Sequence, residues 1–469
     1  MSMTIVATAQ LVPARWQMTV SLGSHIVLAC FGVAFPAMIW VMHGRGLKGD
    51  EVALSLAKRW SKVAAVLFAV GAVSGTILSL EMGLLWPEFM RTFGDVIGLP
   101  FALEGIAFFV EAIFIGIYLY GWNRLPGRFH RMLLIPISIS GVFGTFCILA
   151  VNAWMNAPTG FTLNTNSAGK LVTSNVDPLA AMFNRALWSE FVHMFIGAYV
   201  LVGFCVAAVY AAGLLKGRDD HHHRIGFIVP FAFASIAAVI QPFSGHIAGL
   251  RLATEQPSKL AAMELATDTE KPAPLTIGGI IIDGKVHYAI KIPDLGSLIA
   301  RGGTDRPIIG LNDVPADARP NDQLANTVHF SFQAMVGIGT MLALLAVAFW
   351  LFRRRKQDWL RSRLFLKIAV VAGPAAIAAL EFGWITTEVG RQPWIAYGVM
   401  RIDEAVTQSS GVWVSLIVLV IVYAAMGLGS LGVLRSMSRR WRAGESDDLP
   451  TPYGPGAPEL EEAGARSSS

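Results

Sequence analysis

The sequence predicts an all-α polytopic membrane protein with about nine transmembrane helices. Hydrophobic residues make up 54% of the chain and charged residues only 15%, whereas soluble domains carry about 25% charged residues. Crossing the hydrocarbon of a bilayer takes about 20 apolar residues, and roughly nine apolar runs of this kind occur. Because lipid offers no hydrogen-bond partners to the backbone, runs of this length form helices and do not fit a β-barrel.

The predicted spans follow one another with short connections, apart from one long polar stretch. In chain order the nine spans are residues 17–42, 63–83, 99–122, 132–154, 186–215, 225–250, 328–352, 366–388 and 411–434.

Basic residues set the predicted orientation. Lysines and arginines collect after the first, third, fifth, seventh and ninth spans, and such residues favour the cytoplasmic side of a membrane. The N-terminus is therefore predicted outside and the C-terminus inside. The sequence pI of about 9.1 reflects this bias of the loops, so we infer no nucleic-acid partner from it.

The long polar stretch is predicted to be an extracytoplasmic loop. Within it, Leu275–Ile282 and Lys285–Ile292 flank Asp283 and Gly284, which is the pattern of a β-hairpin with an Asp-Gly turn. The tail is rich in Pro, Gly, Ser and acidic residues and is predicted to be disordered. The predicted organisation is thus helices in 1–250, the loop in 251–325, helices in 326–440 and a cytoplasmic tail in 441–469.

Several ionisable residues lie within or at the edge of apolar runs, where they favour a functional role. Glu104 and Glu111 are seven residues apart, as are Glu381 and Glu388. Each pair therefore shares a helix face with a rise of about 10 Å, an arrangement that suits proton transfer. The alternative is that each glutamate caps or pairs locally, or faces a partner subunit.

His193 and Met335 lie at a similar predicted depth below the outer surface. A histidine and a methionine are a known axial pair for low-spin haem. The alternative is a structural histidine and an ordinary core methionine. His25, Glu104 and Glu388 are further side chains that could bind the iron of one or two high-spin haems.

Arg391 and Trp394 follow Glu388 at the outer end of the eighth span. An arginine at this depth either extends its charged group to the membrane surface or binds a haem propionate through two hydrogen bonds.

Four motifs show a resemblance to subunit I of cytochrome bd quinol oxidases over nearly the whole chain. They are Gly390–Trp394, reading GRQPW and preceded by Trp384 and Glu388; Gln256–Glu264, reading QPSKLAAME; Leu103–Gly105 with Glu111; and Asn152–Met155 with Pro158.

The resemblance implies a set of haem ligands. His193 and Met335 would ligate a low-spin haem b, while His25 and Glu388 would ligate two high-spin haems. The resemblance does not fix which of these two residues ligates which high-spin haem. One of these would be a haem b, and the oxygen site would carry haem d or a further haem b. Glu104 would lie beside the oxygen site. Trp384, Arg391 and Trp394 would line the cofactors.

The resemblance also implies the reaction. Lys259 and Glu264 would contact a ubiquinol or menaquinol at the outer face, and Glu111 would lie on a proton route. Oxygen would be reduced to water, and charge separation without pumping would generate the proton motive force. The partner would be a bd-type subunit II in a bacterial inner membrane, with lipid around the complex and room for a small accessory single-helix subunit.

Three positions depart from the family pattern, and the outer loop resembles the short-loop, cyanide-insensitive branch. Gln333 stands where arginine is expected, which puts one propionate contact in question. Glu190 replaces a basic or neutral residue. His246 replaces an acidic residue and is a rival haem ligand.

Two other function classes stay open on the residues alone. An ion-coupled secondary transporter would use its membrane glutamates for coupling, but it would be colourless and often has two related halves. A haem-bearing, quinone-linked electron-transfer subunit would carry haem without reducing oxygen.

Overall fold

The computed structural model describes residues 2–354 and 361–444, with side chains from Gln10 onward. The predicted tail lies, from residue 445, outside these described residues, as do the basic residues Arg355 and Lys356.

Nine long apolar helices cross the membrane in the described part of the chain, which confirms the predicted fold class. They are α1 (Ser2–Gly46), α2 (Glu51–Leu85), α3 (Pro87–Tyr120), α5 (Leu134–Asn156), α7 (Leu187–Leu215), α8 (His221–Glu255), α11 (Asp322–Arg354), α12 (Arg363–Val389) and α14 (Val412–Arg442). Most extend beyond the predicted spans, because an apolar run marks only the part of a helix that lipid surrounds.

Short helices and strands occupy the connections. The helices are α4 (Gly127–Met132), α6 (Pro178–Met182), α9 (Pro257–Glu264), α10 (Leu295–Arg301) and α13 (Ile402–Ala405), with a 3-10 turn at Leu311–Asp313. The strands are β1 (Thr162–Thr165), β2 (Leu171–Ser174), β3 (Leu275–Ile282), β4 (Lys285–Ile292), β5 (Trp394–Ala396) and β6 (Met400–Arg401).

All six strands lie on one side of the helix bundle. They pair as three antiparallel two-stranded sheets, β1 with β2, β3 with β4, and β5 with β6, in the connections that follow α5, α8 and α12. We call this side the outer face, following the charge bias of the sequence. The four residues of β1 pair with the four of β2, from Thr162 opposite Ser174 to Thr165 opposite Leu171. These two strands were not predicted from the sequence.

The β3–β4 pair lies where the sequence predicts a hairpin. Leu275 is opposite Ile292 and Ile282 is opposite Lys285. Asp283 and Gly284 in the turn both have positive φ, at 49° and 73°. Two consecutive residues of this kind match the twist of an antiparallel strand pair.

Side-chain caps begin three helices at the inner face. The Asp50 carboxylate accepts a hydrogen bond from the Ala53 backbone nitrogen at 3.0 Å, and Asp220 does the same for His223 at 2.8 Å. The Ser362 hydroxyl accepts from Phe365 at 3.2 Å. Each cap satisfies a backbone N–H that the first turn of a helix leaves without a partner.

The helices pack as two groups that share α7. One group joins α7, α8, α11 and α12, and its buried core is aromatic, with the rings of Phe231 and Phe349 4.7 Å apart. The other joins α1, α2, α3 and α5, and it meets α7 through α1 and α5. The ionisable residues that the sequence singled out lie on helices of these two groups.

Candidate active site

His193 projects from α7 toward α8. Its Nδ1 lies 3.0 Å from the hydroxyl of Ser244, and that hydroxyl donates its own proton to the Gln241 carbonyl at 2.9 Å. Ser244 can therefore only accept from the ring, so Nδ1 carries the proton and Nε2 has a free lone pair. The Gln241 amide nitrogen lies 3.2 Å from this Nε2, a contact that metal binding would replace.

Met335 lies on α11 at the same level as His193. A Cβ added to Gly383 of α12 would lie 2.9 Å from the Met335 sulfur. The contact between α7 and α12 gives the depth of His193. A Cβ added to Gly197 of α7 would lie 3.9 Å from the Leu380 side chain of α12. Because α7 and α12 are antiparallel, His193 and Gly383 are each one turn outward from this contact. The structure thus brings the two predicted ligands to one level.

His25 repeats the arrangement of His193 between α1 and α2. Its Nδ1 lies 2.9 Å from the hydroxyl of Ser74, which donates to the Gly71 carbonyl at 2.9 Å. The same argument places the proton on Nδ1 and leaves the lone pair on Nε2. Tyr423 of α14 donates to the Ser74 carbonyl at 3.3 Å and so holds this segment of α2 from a third helix.

Glu388 ends α12 in a polar contact with α5. Its Oε1 accepts a hydrogen bond from the Asn152 amide at 2.7 Å, and its Oε2 accepts from Arg391 Nη2 at 2.5 Å. Each carboxylate oxygen keeps a second lone pair. The Arg391 side chain is only 4% exposed, yet its Nε and Nη1 have no hydrogen-bond partner. A buried guanidinium in this state fits a further anionic group.

Asn156 joins three elements of the outer face one turn beyond Asn152. Its side-chain oxygen accepts from Lys259 Nζ at 3.1 Å and from the Gln256 amide at 3.1 Å. Its side-chain nitrogen donates to Glu190 Oε1 at 3.0 Å. Asn156 was not among the predicted site residues, although two asparagines one turn apart at the end of an apolar helix are a signal that points to it.

Lys259 and Glu264 lie on the short helix α9 and are both buried, at 3% and 6% exposure. Burial lowers the pKa of the Lys259 ammonium, and the nearby Arg391 guanidinium lowers it further. Burial raises the pKa of the Glu264 carboxyl to about 7, although the Thr276 backbone N–H stabilises its ionised form. Glu264 can therefore take up or release a proton close to neutral pH.

Side chains of α11 hold the β3–β4 hairpin against the bundle. Asn326 exchanges two hydrogen bonds with the backbone of Ile281, at 2.8 and 2.9 Å. Gln333 donates to the Thr276 carbonyl at 2.6 Å and accepts from the Gly278 nitrogen at 2.8 Å. The glutamine that stands where an arginine was expected is therefore used to fix the hairpin.

His329 lies between these two residues on the same face of α11. Its two ring nitrogens lie 2.7 Å from the Met263 carbonyl and 2.9 Å from the Gly278 carbonyl. It therefore ties α9 and β3 to the helix that carries Met335.

Glu104 and Glu111 project from α3 toward α5. A Cβ added to Gly144 of α5 would lie 4.0 Å from Glu104 Cγ, and one added to Gly141 would lie 3.2 Å from Glu111 Oε1. Asn152, which binds Glu388, is eight residues further out on α5, a rise of about 12 Å. The three carboxylates thus approach α5 at successive depths, with Glu388 outermost.

The remaining predicted residues lie around this centre. Trp384 and Trp394 are half-buried, and the Arg401 guanidinium lies 5.9 Å from the centroid of the Trp394 ring. His246, the rival ligand, is exposed on α8. Among the described residues, no group of three or more His, Cys, Asp or Glu side chains is placed to hold a metal ion.

Comparison with known proteins decides the family. The family model described as "Cytochrome bd terminal oxidase subunit I" matches residues 13–441. The chain belongs to this family.

Similar proteins cover nearly all of this subunit I chain. A putative cytochrome bd menaquinol oxidase subunit I from Bacillus subtilis (strain 168) is 34% identical over 433 residues, covering 90% of this chain and 95% of that protein. A cytochrome bd ubiquinol oxidase subunit 1 from the same organism is 32% identical over 416 residues, covering 85% and 86%. The cytochrome bd-II ubiquinol oxidase subunit 1 of Escherichia coli (strain K12) is 25% identical and covers 93% and 98%.

A solved structure agrees in fold. The bd oxidase from Geobacillus thermodenitrificans matches with a TM-score of 0.85 and 38% identity, covering 92% of this chain and 98% of that chain. The resemblance drawn from the motifs is therefore confirmed. This subunit I is a multi-pass protein of the bacterial inner membrane and part of a haem-bearing terminal oxidase.

Proposed function

We propose that this chain is the catalytic subunit of a quinol:O2 oxidoreductase that oxidises quinol at the outer face and reduces oxygen to water. One observation supports this more than any other. Lys259 of the outer loop is joined through Asn156 and Asn152 to the Glu388 carboxylate, by hydrogen bonds of 2.7–3.2 Å. The loop that we expect to bind quinol and a carboxylate suited to iron thus share one hydrogen-bond network.

The donor set fits three haems. His193 and Met335 would hold a low-spin haem b, and His25 and Glu388 would each hold a high-spin haem, with Glu104 beside the oxygen site. The high-spin pair would be a haem b and either haem d or a further haem b. When bound, these groups supply one-electron transfer and oxygen chemistry.

The protein prepares these positions through its own side chains. Ser244 and Ser74 fix the tautomers of His193 and His25, which leaves the lone pair on each Nε2, where it would bind the haem iron. The two unpartnered nitrogens of Arg391 would hold a haem propionate by charge-assisted hydrogen bonds. Trp384 and Trp394 would form part of the apolar wall around the cofactors.

The loop of residues 251–325 would bind the quinol. Lys259 would donate a hydrogen bond to a quinol oxygen, and the Glu264 carboxylate would accept a proton as the quinol is oxidised. That proton would leave on the outer side. Protons for water would come from the inner side past Glu111, so the reaction would separate charge across the membrane without a pump. The sidedness follows the positive-inside bias of the loops.

The partners follow from the family. A bd-type subunit II would complete the core, with lipid around it and space for a small accessory single-helix subunit. The relatives named above act on menaquinol or on ubiquinol, and we propose that one of these two quinols is the substrate here.

Spectra and oxygen consumption of the purified complex test this function. We expect quinol-dependent oxygen consumption, a low-spin haem band in the reduced-minus-oxidised spectrum, and a high-spin species that shifts with carbon monoxide. A colourless preparation would support a transporter instead. Haem without a carbon monoxide response or oxygen consumption would support an electron-transfer subunit.

A further inference from the structure

A buried polar cluster lies at the inner end of α3, away from the residues assigned above. The Tyr118 hydroxyl lies 3.0 Å from His43 Nδ1, and the Tyr118 backbone carbonyl lies 2.7 Å from His130 Nε2. The exposed fractions of Tyr118, His43 and His130 are 1–2%. Three ionisable side chains are thus packed together in a part of the bundle that carries no haem ligand.

Aromatic and cationic groups surround this cluster. The Trp122 ring lies 4.9 Å from His43 and 4.4 Å from His130, measured between centroids. Lys58 lies over the Trp122 ring, and Arg131 donates a hydrogen bond to the Trp40 carbonyl at 3.1 Å. The next residues along the chain after Trp122 are exposed. The cluster is therefore within one layer of side chains of the inner surface.

A cavity connects the Tyr118 side chain with Glu111. Both residues line it, two turns apart on α3, and the remaining lining is apolar apart from Ser61. The rise between them is about 10 Å. The cavity has room for water, which needs polar partners at its ends. Tyr118 and Ser61 provide such partners at the inner end, and Glu111 provides them at the outer end.

Glu111 has an unused acceptor facing this region. The side chain is 8% exposed, and its Oε1 is buried without a hydrogen-bond partner. A buried carboxyl oxygen with no partner is costly, which favours a water or a proton at this position.

We propose that His43 and Tyr118 form a proton inlet that delivers protons from the inner face, through water in this cavity, to Glu111. A proton on His43 passes from Nδ1 to the Tyr118 oxygen, while the phenol gives its own proton to a water. Water then protonates the Glu111 carboxylate, and no electron moves. His130 holds the end of α3 through the Tyr118 carbonyl. This inference rests on the proposed function, because oxygen reduction is what consumes the protons.

Proton uptake by the whole complex tests the inlet. The variants are Tyr118→Phe, which removes only the hydroxyl, and His43→Gln, which keeps a side-chain donor but cannot relay a proton. The matched control is Tyr210→Phe, because Tyr210 is half-buried near the inner face and accepts a hydrogen bond from Trp60 at 2.7 Å, but does not line the cavity. Uptake is followed with a pH dye as the reduced complex reacts with oxygen.

We expect Tyr118→Phe and His43→Gln to slow proton uptake at least about 10-fold, with haem spectra and quinol reduction of the haems unchanged. Tyr210→Phe should match the wild type. Wild-type uptake rates in both inlet variants would overturn the inlet, and if Tyr118→Phe fails to bind haem, His43→Gln decides alone. A wild-type complex that does not reduce oxygen would refute the proposed function, and the inlet with it.

Discussion

Lys259 Nζ lies 3.1 Å from Asn156 Oδ1, joining a helix of the outer loop to the end of a transmembrane helix 103 residues earlier in the chain. The amide of Asn156 also donates to Glu190 at 3.0 Å. The neutral Asn156 side chain therefore lies between the buried Lys259 amine and the half-buried Glu190 carboxyl, and it binds the first through its oxygen and the second through its nitrogen. The identity of Glu190, which departs from the family pattern, gives Lys259 a local counter-charge.

The first prediction concerns Asn156. Asn156→Leu has a similar volume but removes every side-chain hydrogen bond, leaving buried partners unsatisfied at a cost of about 1–3 kcal/mol. We expect the KM for quinol to rise about 10-fold, while the low-spin haem spectrum stays unchanged. Steady-state kinetics with a soluble quinol measure this. Asn164→Leu, on the exposed strand β1, is the control, and equal KM values in the two variants would contradict the role of Asn156.

The second prediction concerns the pH dependence of Glu264. Its pKa is raised to about 7 by burial, so below that pH the carboxyl is protonated and cannot accept a proton from quinol. The rate should therefore rise as the pH increases through about 7. Glu264→Gln should be slow and lose this rise, whereas Glu264→Asp should keep it. Glu270→Gln, on the exposed part of the same loop, should behave as the wild type.

The raised pKa of Glu264 also makes the free energy of unfolding depend on pH. The folded protein holds the Glu264 proton more tightly than the unfolded chain, whose carboxyl titrates near 4.5. The stabilising contribution is thus full below pH 4.5 and is lost as the pH rises to about 7. The Tm of Glu264→Gln relative to wild type should increase over this window and then level off. A constant difference would show that the carboxyl is not desolvated.

The third prediction concerns the low-spin haem. His193→Ala and Met335→Leu should each abolish the low-spin band in the reduced-minus-oxidised spectrum, because each removes one axial ligand. The carbon monoxide response of the high-spin haems should remain. His246→Ala, on the exposed face of α8, is the matched control. If the band persists in both ligand variants, or disappears in His246→Ala alone, this assignment is wrong.

The fourth prediction concerns Arg391. Arg391→Gln leaves the half-buried Glu388 carboxylate without its ion-pair partner, and a carboxylate partly shielded from water is destabilising once its partner is removed. We expect less carbon monoxide-reactive haem per complex and a lower Tm. Arg391→Lys should not restore the haem content, because an ammonium cannot form the two parallel bonds of a guanidinium.

Haem content per protein, from a pyridine haemochrome assay, measures the effect of the Arg391 variants. Arg319→Gln is the control, since Arg319 lies on the outer loop and donates to Asn312 at 3.1 Å. Full haem content in Arg391→Gln would show that the guanidinium does not hold a cofactor.

Much of the architecture could be predicted from the sequence because membrane helices are encoded locally. Run length alone located each of the nine spans, and the Asp283-Gly284 pair marked the turn between β3 and β4. The strands β1, β2, β5 and β6 were not predicted. They are two to four residues long, too short for an alternating pattern, and their pairing depends on the helix ends that hold them.

The residues of the candidate site also differ in whether the sequence alone could identify them. His193, Met335, His25 and Glu388 stood out because an ionisable or iron-binding side chain in an apolar run is conspicuous by itself. The sequence marked Glu190 and Gln333 only as departures from the family pattern and did not mark Asn156, because an amide or a carboxylate has no evident partner in the sequence. Their importance lies in hydrogen bonds to partners far along the chain.

By itself, the sequence determined that this chain crosses a membrane about nine times, that its exceptional side chains lie toward one face, and that its motifs are those of a bd-type subunit I. These properties depend on the transfer of each segment between water and lipid, which is a sum over neighbouring residues. Only the tertiary structure decided which side chains meet, from the fixed histidine tautomers to the contact of Lys259 with Asn156. A hydrogen bond is directional and works over about 3 Å, so it depends on how helices pack and not on the composition of any one of them.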